Sequence, residues 1–265
     1  MSINRYKILV LSDLKNSSDT ILKTTANLAK MVGGDIDLLH VRKPVDVVKN
    51  DNQLSSMRTI NRDYLASKNH IESIIKSIDK AVNINYSLIY GNVKQEIEEQ
   101  IQYTNPDIIV LGKKRFNALR LAGDRVTKFV LNKYKGVVLI ASNDKILVPN
   151  ENLSVGVLNG LEHANESLAK RLMDYTQKPI MSFKIQKPNE SVKESNGNTS
   201  SNDTVEYIFE SSSNSINTLS NYVVKNDIDL LCINREIESS RKGKLSSSNL
   251  SKMIRKLDVS MLLVD

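Results

Sequence analysis

The amino-acid sequence predicts an α/β protein made of two tandem doubly wound parallel sheets of five strands each. In the first half, short apolar runs alternate with amphipathic helical segments, which is the pattern of parallel strands joined by helical crossovers. The second half then repeats segments of the first. Together these two observations predict the fold class and the division of the chain.

The chain begins with a predicted strand followed by a predicted helix. The run "YKILVLS" (6–12) is continuously apolar, as is typical of a strand that is buried on both faces. In the next segment, Ser17 or Ser18 is a candidate N-cap, and apolar residues recur at helical spacing. Gly33 and Gly34 are expected to end this helix.

The rest of the first half continues the same alternation. It predicts a strand "DIDLLHV", a helix over about residues 54–80, a strand "INYSLIY", a helix capped by Asn92, a strand "IIVLG", a helix and a strand "VVLIA". Five strands and four helices result. Because each helical crossover returns the chain in the same direction, the strands are expected to be parallel.

The second half aligns with the first in three ungapped segments. These pair residues 155–169 with 8–22, residues 229–236 with 107–114, and residues 251–265 with 127–141. The last alignment places Ile254 opposite Val130. The sequence therefore predicts domain 1 over residues 1–145 and a smaller, degenerate domain 2 over residues 146–265.

The two predicted domains differ between their second and third strands. Where domain 1 has a long helix, domain 2 has "KPNESVKESNGNTSSND", which is rich in Ser, Asn and Lys and nearly devoid of apolar residues. Such a segment buries too little apolar surface to offset its ordering entropy. A mobile loop is therefore predicted at about residues 186–204.

Composition limits the classes of partner and the compartment. The net charge is +7, but Lys and Arg are scattered among Asp and Glu, so nucleic acid is not an expected partner. No apolar run reaches the length that spans a bilayer, so no membrane partner is expected. The single cysteine, Cys232, excludes an internal disulfide and fits a reducing compartment. A cytoplasmic protein is the expectation.

The sequence shows no constellation that predicts catalysis or a metal site. His40, His70 and His163 lie at unrelated places without metal-ligand spacing. Neither a G-x-S-x-G elbow nor a G-x-G-x-x-G loop follows the relevant strands. A phosphoacceptor receiver would need an acidic residue closing the third strand, where Tyr90 and Gly91 stand. No catalytic residue is therefore assigned.

The chain resembles the universal stress protein family, in particular the members that fuse two such domains in one polypeptide. The resemblance rests on Asp13 after the first strand, "LLHV" in the second, "YGNVKQEI" after the third, and "PDIIVLGKK" followed by "VTKFVLNKYKGVVLIA". The last segment is the most specific, and the second half matches more weakly. The resemblance implies a Rossmann-like fold with strand order 3-2-1-4-5. It also implies fifth strands that meet at a pseudo-twofold interface.

Many members of that family bind ATP through a motif G-x-x-G, nine residues, then G-[ST], whose glycines let the backbone approach the phosphates. Here Gly112 fills the first position, Arg115 replaces the second glycine, Asp124 takes the third, and Gly123 comes one residue early. The resemblance places the nucleoside end at Asp13 and Val41. The candidate nucleotide-binding residues are Asp13, Val41, Gly112, Arg115, Gly123, Arg125, Val126 and Thr127.

The altered loop leaves two hypotheses open. In the first, the protein has no cofactor and plays a non-enzymatic role in stress response through dimerisation and unidentified protein partners. In the second, ATP or another nucleotide in domain 1 alters assembly, with slow hydrolysis. The charge of Asp124 is then offset by four cations, Lys113, Lys114, Arg115 and Arg125. In both, self-association through the fifth strands is expected, within the chain or as a homodimer.

Overall fold

A computed structural model describes residues 5–15, 17–43, 53–113, 125–150, 152–158, 160, 166–186, 204–210, 214–235 and 247–264. The strands described are β1 Tyr6–Leu11, β2 Gly34–Arg42, β3 Ile84–Tyr90, β4 Ile108–Gly112, β5 Val137–Ala141, β6 Val155–Leu158, β7 Ile180–Gln186, β8 Thr204–Glu210, β9 Leu230–Asn234 and β10 Ser260–Val264. The helices described are α1 Ser18–Val32, α2 Gln53–Lys76, α3 Val93–Thr104, α4 Arg125–Lys133, α5 Glu166–Met173, α6 Ser215–Lys225 and α7 Ser247–Lys256.

These strands form one sheet in the order β3-β2-β1-β4-β5-β10-β9-β6-β7-β8. Neighbours within the first half (β1–β5) and within the second half (β6–β10) are parallel. The fifth strands, β5 and β10, pair antiparallel with Leu139 opposite Leu262. The predicted strand order 3-2-1-4-5 is therefore confirmed in both halves, which meet at their fifth strands.

The central strands of the sheet are buried on both faces, and each core crosses the β5–β10 junction. One core combines α1 and α5 with residues of β1, β5 and β10, and the other combines α4 and α7 with the alternate residues of the same strands. Continuous apolar strands such as β5, which is buried throughout, follow from this two-sided cover. The two halves thus share both hydrophobic cores.

The helix ends largely follow the sequence signals, with two differences. Asn92 accepts hydrogen bonds from the Lys94 and Gln95 amides, as expected of an N-cap. Gly33 ends α1 in the left-handed conformation, with φ 70°. Ser17 occupies the N-cap position of α1, but its side chain makes no capping hydrogen bond. The structure also ends α2 at Lys76 rather than near residue 80.

The alignment between the halves needs a correction of one residue in the last helix and strand. Val130 and Met253 are both fully buried, and each accepts a hydrogen bond from the amide four residues later. In the sheet, Val137 lies opposite Ile108 of β4, whereas Ser260 lies opposite Leu230 of β9. Met253, and not Ile254, therefore stands at the position of Val130. The ungapped alignment was shifted by one because both registers place apolar residues in apolar strands.

The segment between β5 and β6 contacts both halves. The Lys145 ammonium lies 2.7 Å from Asp227 and 2.8 Å from Asp229 in the second half. The Leu147 amide donates to the Thr24 hydroxyl of α1, and its carbonyl accepts from Asn27. The domain boundary between residues 145 and 146 stays a prediction, and it falls within this segment.

The two halves differ in the cover of their outer strands. In the first half, α2 lies over β3, with the Tyr86 hydroxyl donating to Glu72 at 2.9 Å. The predicted loop of domain 2 lies outside the described residues, except for the strand ends Gln186 and Thr204. Among the helices in the described ranges, none is long and apolar enough to cross a membrane.

Candidate functional site

The strand order places a candidate site at the carboxyl ends of β1 and β4. In open α/β sheets, ligands bind where the strand order reverses, and here that point lies between β1 and β4. Asp13 follows β1, Val41 lies near the end of β2, Gly112 ends β4, and α4 begins at Arg125. The sheet topology brings these residues to one edge. Arg115 and Gly123 lie outside the described residues.

The turn after β1 is held by hydrogen bonds of its own side chains. The Leu14 amide donates to the Ser12 hydroxyl, and the Lys15 amide donates to the Asp13 carboxylate at 3.2 Å. Leu14 adopts a left-handed conformation with φ 53°. The Asp13 side chain remains half-exposed. Its carboxylate is therefore accessible to a hydroxyl or amino group of a ligand.

His40 supports this edge from within the sheet. Its Nδ1 lies 2.8 Å from the Ser12 carbonyl oxygen, and the side chain is buried. Desolvation, with a smaller effect from the charge of Arg42, lowers the pKa of His40, although the Ser12 hydrogen bond and Asp13 oppose this. A carbonyl oxygen only accepts, so Nδ1 carries the proton and donates it. His40 thus ties the end of β2 to the end of β1.

Gly112 has a packing role that the sequence did not indicate. A Cβ at this position would lie 2.2 Å from Cδ1 of Ile21 on α1. Ile21 is buried, so the space next to Gly112 is already filled. The close approach of α1 to β4 therefore accounts for the glycine.

Lys113 does not face the candidate site as a free cation. Its Nζ donates to the Leu257 carbonyl at 2.6 Å and lies 3.6 Å from the Asp258 carboxylate, both in the second half. Only 11% of its side chain is exposed. The Lys113 ammonium is thus engaged across the junction between the halves. The expectation that it helps to offset the charge of Asp124 stays a prediction, because Asp124 lies outside the described residues.

The first residue of α4, Arg125, is an exposed cation. Arg125 is exposed, Val126 packs against the core, and Thr127 is buried. A guanidinium beside a helix N-terminus favours an anion at the same edge. Of the three positions predicted on α4, Arg125 therefore offers the most accessible contact.

The second half carries a different set of residues at the matching positions. Gly160, with φ 76°, stands at the place of Asp13, and Asn234 stands at the place of Gly112. Arg235 follows β9 as Lys113 follows β4. Its guanidinium donates to the Gly136 carbonyl at 2.5 Å and to the Tyr134 carbonyl at 3.5 Å in the first half. The sequence signal for this pair was available, since the alignment already placed Lys113 opposite Arg235.

The described side chains determine which ligand this edge could contact. Burial raises the pKa of the Cys232 thiol to about 12, so it stays protonated and unreactive at neutral pH. No group of three or more His, Cys, Asp or Glu side chains that could hold a metal occurs within the described parts of the chain. What the edge offers is a carboxylate at Asp13 and a guanidinium at Arg125, which suit a polar ligand with an anionic end.

Comparisons with known proteins agree with this fold. The model of the universal stress protein family matches residues 5–142, which is more than half of the chain. A universal stress protein from Archaeoglobus fulgidus superposes with a TM-score of 0.71 at 15% identity, covering 97% of this chain and 95% of that one. A functionally unknown protein from Pseudomonas aeruginosa superposes with a TM-score of 0.59 at 12% identity, covering 98% and 92%.

A search among curated protein sequences found no match. The two structural neighbours extend over both halves, so the similarity includes the tandem arrangement. Together with the family model, the strand order places the chain in the universal stress protein family.

Proposed function

We propose that this protein plays a non-enzymatic role in stress response, through the pairing of its two halves and the binding of protein partners, and that its nucleotide site is degenerate. The observation that carries the proposal is the use of Gly112 and Lys113. Gly112 accommodates Ile21, and Lys113 binds the second half. The residues that open the phosphate loop in nucleotide-binding relatives thus serve packing and the internal interface here.

The reactive side chains near the strands also have structural roles. His40 donates to the Ser12 carbonyl, and the Cys232 thiol is buried and protonated. A thiol nucleophile needs a thiolate, which a buried, protonated Cys232 does not supply, and the His40 hydrogen bond joins β2 to β1. These roles support the non-enzymatic part of the proposal.

The pairing of the fifth strands is proposed to act within one chain. The neighbours of β5 in the sheet are β4 and β10, so both of its edges are occupied. A homodimer built through the fifth strands would first have to separate β5 from β10. We also propose the cytoplasm as the compartment, because a reducing environment suits a single buried thiol.

Calorimetry tests the nucleotide part of the proposal. The full chain is titrated with ATP and Mg²⁺, and the purified protein is examined by mass spectrometry for bound nucleotide. We expect no binding heat at millimolar ATP. Submillimolar binding that disappears in Asp13→Ala but persists in Asp37→Ala would contradict the proposal. Asp37 is a suitable control because it lies in the middle of β2, away from the candidate edge.

A second candidate function is an ATP-responsive switch in the first half. The observation in its favour is the half-exposed Asp13 carboxylate on the same edge as the exposed Arg125. If the altered loop alone weakens binding, Arg115→Gly combined with Asp124→Gly should raise ATP affinity, because it restores two glycines of the motif without changing the net charge. Light scattering with and without ATP, and phosphate release over hours, then report assembly and hydrolysis. Unchanged affinity in the double variant would count against the switch.

A further inference from the structure

The helix α7 ends against a cation from the other half of the chain. An α-helix leaves its last carbonyls without partners inside the helix. The Leu257 carbonyl, directly after the end of α7 at Lys256, accepts a hydrogen bond from Lys113 Nζ at 2.6 Å. Lys113 belongs to the first half, where it follows β4. The terminal helix of the second half is therefore capped by a side chain of the first.

The same contact occurs in the opposite direction. α4 ends at Lys133. The Arg235 guanidinium donates at 3.5 Å to the carbonyl of Tyr134, directly after the helix, and at 2.5 Å to that of Gly136, two residues further on. Tyr134 and Leu257 are equivalent, since each amide donates to the buried residue four positions earlier. The pseudo-twofold relation thus repeats one interaction, a cation from one half on the helix end of the other.

Both cations are also fixed to the sheet by their backbones. The Lys113 amide donates to the Ala141 carbonyl at the end of β5, and the Arg235 amide donates to the Val264 carbonyl at the end of β10. The connection from β4 to α4 continues directly after Lys113, and the connection from β9 to α7 continues directly after Arg235. A displacement at the start of either segment therefore moves the cap of the opposite helix.

We propose that Lys113 and Arg235 are reciprocal helix caps that couple the carboxyl edge of each half to the terminal helix of the other. A cation at a helix C-terminus interacts favourably with the helix dipole, and a carbonyl that loses its partner away from water is destabilised. The coupling is a property of the fold and holds whether or not a nucleotide binds. It goes beyond the proposed function by giving the two halves a defined path of communication.

Hydrogen exchange in the full chain tests the coupling. In Lys113→Met, we expect the Leu257 amide, which donates to Met253 at 2.9 Å, to exchange about tenfold faster. The Tyr134 amide should keep its rate. In Arg235→Met the pattern should reverse, with faster exchange at Tyr134 and little change at Leu257. Amide-resolved NMR measures both rates in the same sample.

Two control variants test whether faster exchange at Leu257 comes from loss of the Lys113 cation itself. One keeps a cation at position 113, and the other removes a lysine elsewhere. Lys113→Arg keeps the cation and should keep slow exchange at Leu257. Lys7→Met removes a lysine whose Nζ donates at 3.4 Å to Thr104, the last residue of α3, within the same half. It should affect α3 and leave Leu257 unchanged.

The proposal is overturned if folded Lys113→Met leaves the Leu257 rate unchanged, or if the faster exchange stays within the first half. Circular dichroism establishes that each variant is folded. Should Lys113→Met not fold, Lys113→Gln, which keeps an N–H donor without the charge, is judged by the same criterion.

Discussion

At the scale of single residues, Gly112 has no Cβ, and Ile21 occupies the space that a Cβ would need. A Cβ there would meet Ile21 Cδ1 at 2.2 Å, and Ile21 has little freedom to move because it is buried between α1 and the sheet. Interiors are close-packed, so an added methyl forces a neighbour to shift. The sequence placed Gly112 in a motif, but it contained no signal for this contact between elements that are far apart in the chain.

Gly112→Ala should therefore lower the free energy of unfolding by about 1–3 kcal/mol. Ile21→Val removes the Cδ1 atom that the new methyl would meet, so the same glycine substitution should be less destabilising in that background. Urea denaturation of the four proteins measures the coupling. Equal destabilisation in both backgrounds would mean that Gly112 is needed for a reason other than Ile21.

Cys232 predicts a pH dependence of stability. Its folded pKa of about 12 lies above the value of an exposed thiol, so the unfolded chain loses its proton first as the pH rises. This stabilisation is complete below the unfolded pKa and declines above it. Between about pH 9 and 11, the wild type should lose about 1.4 kcal/mol per pH unit more than Cys232→Ala. Parallel urea curves at several pH values check this, and identical slopes would refute it.

At the scale of the elements, the helices and strands followed from the sequence wherever the signal was local. The apolar runs of β4 and β5 and the cap at Asn92 are examples. Ser17 was a weaker case, because a serine before a helix is compatible with a cap but does not fix its side chain. In the structure, the Ser18 hydroxyl instead donates to the Lys15 carbonyl at 2.7 Å.

Asn92→Ala should reduce stability by about 1 kcal/mol, because two amides of the first turn of α3 lose their acceptor. Asn92→Asp keeps an acceptor at that position and should retain most of the stability. Ser17→Ala is the matched control at α1 and should change stability by less than about 0.5 kcal/mol, since no cap bond is lost. Thermal and urea denaturation compare the three. A similar loss at both positions would contradict this assignment of caps.

The outer strands of the second half, β7 and β8, carry a sequence pattern that indicates which of their faces is covered. Phe183 and Phe209 contribute to an aromatic cluster on the α6 face, whereas Lys184 pairs with Glu206 at 2.5 Å on the opposite face. This alternation along "IMSFKIQ" and "TVEYIFE" is typical of strands covered on one face only. It could have indicated that, among the described residues, no helix covers this face as α2 covers β3 in the first half.

At the scale of the whole molecule, the order of the strands was predictable and the contacts across the junction were not. The family resemblance implied fifth strands that meet, and the sheet confirms it. Which residues face each other depends on the β5–β10 register, and a sequence of apolar residues does not determine that register. The use of Lys113 by the second half therefore emerged only from the structure.

The shared cores predict that both halves unfold together. Leu139 is fully buried at the centre of the junction, opposite Leu262. Leu139→Ala should lower stability by about 2–5 kcal/mol. The circular dichroism transition should remain single, and peptides from β1 and β6 should lose hydrogen-exchange protection at the same urea concentration.

The control for this variant is Tyr103→Ala, because Tyr103 is 87% exposed and its removal should leave the midpoint nearly unchanged. Protection that persists in β6 peptides after β1 peptides have lost it would show that the halves unfold independently.

Residues 142–154 join the two halves covalently, so the pairing of the halves does not depend on protein concentration. Two separate chains that pair through their fifth strands come apart when their concentration falls below the dissociation constant. A short connection keeps the second half at a high effective concentration near the first, whatever the number of molecules in the cell. The β5–β10 pairing should therefore persist in a cell that holds only a few copies of the protein.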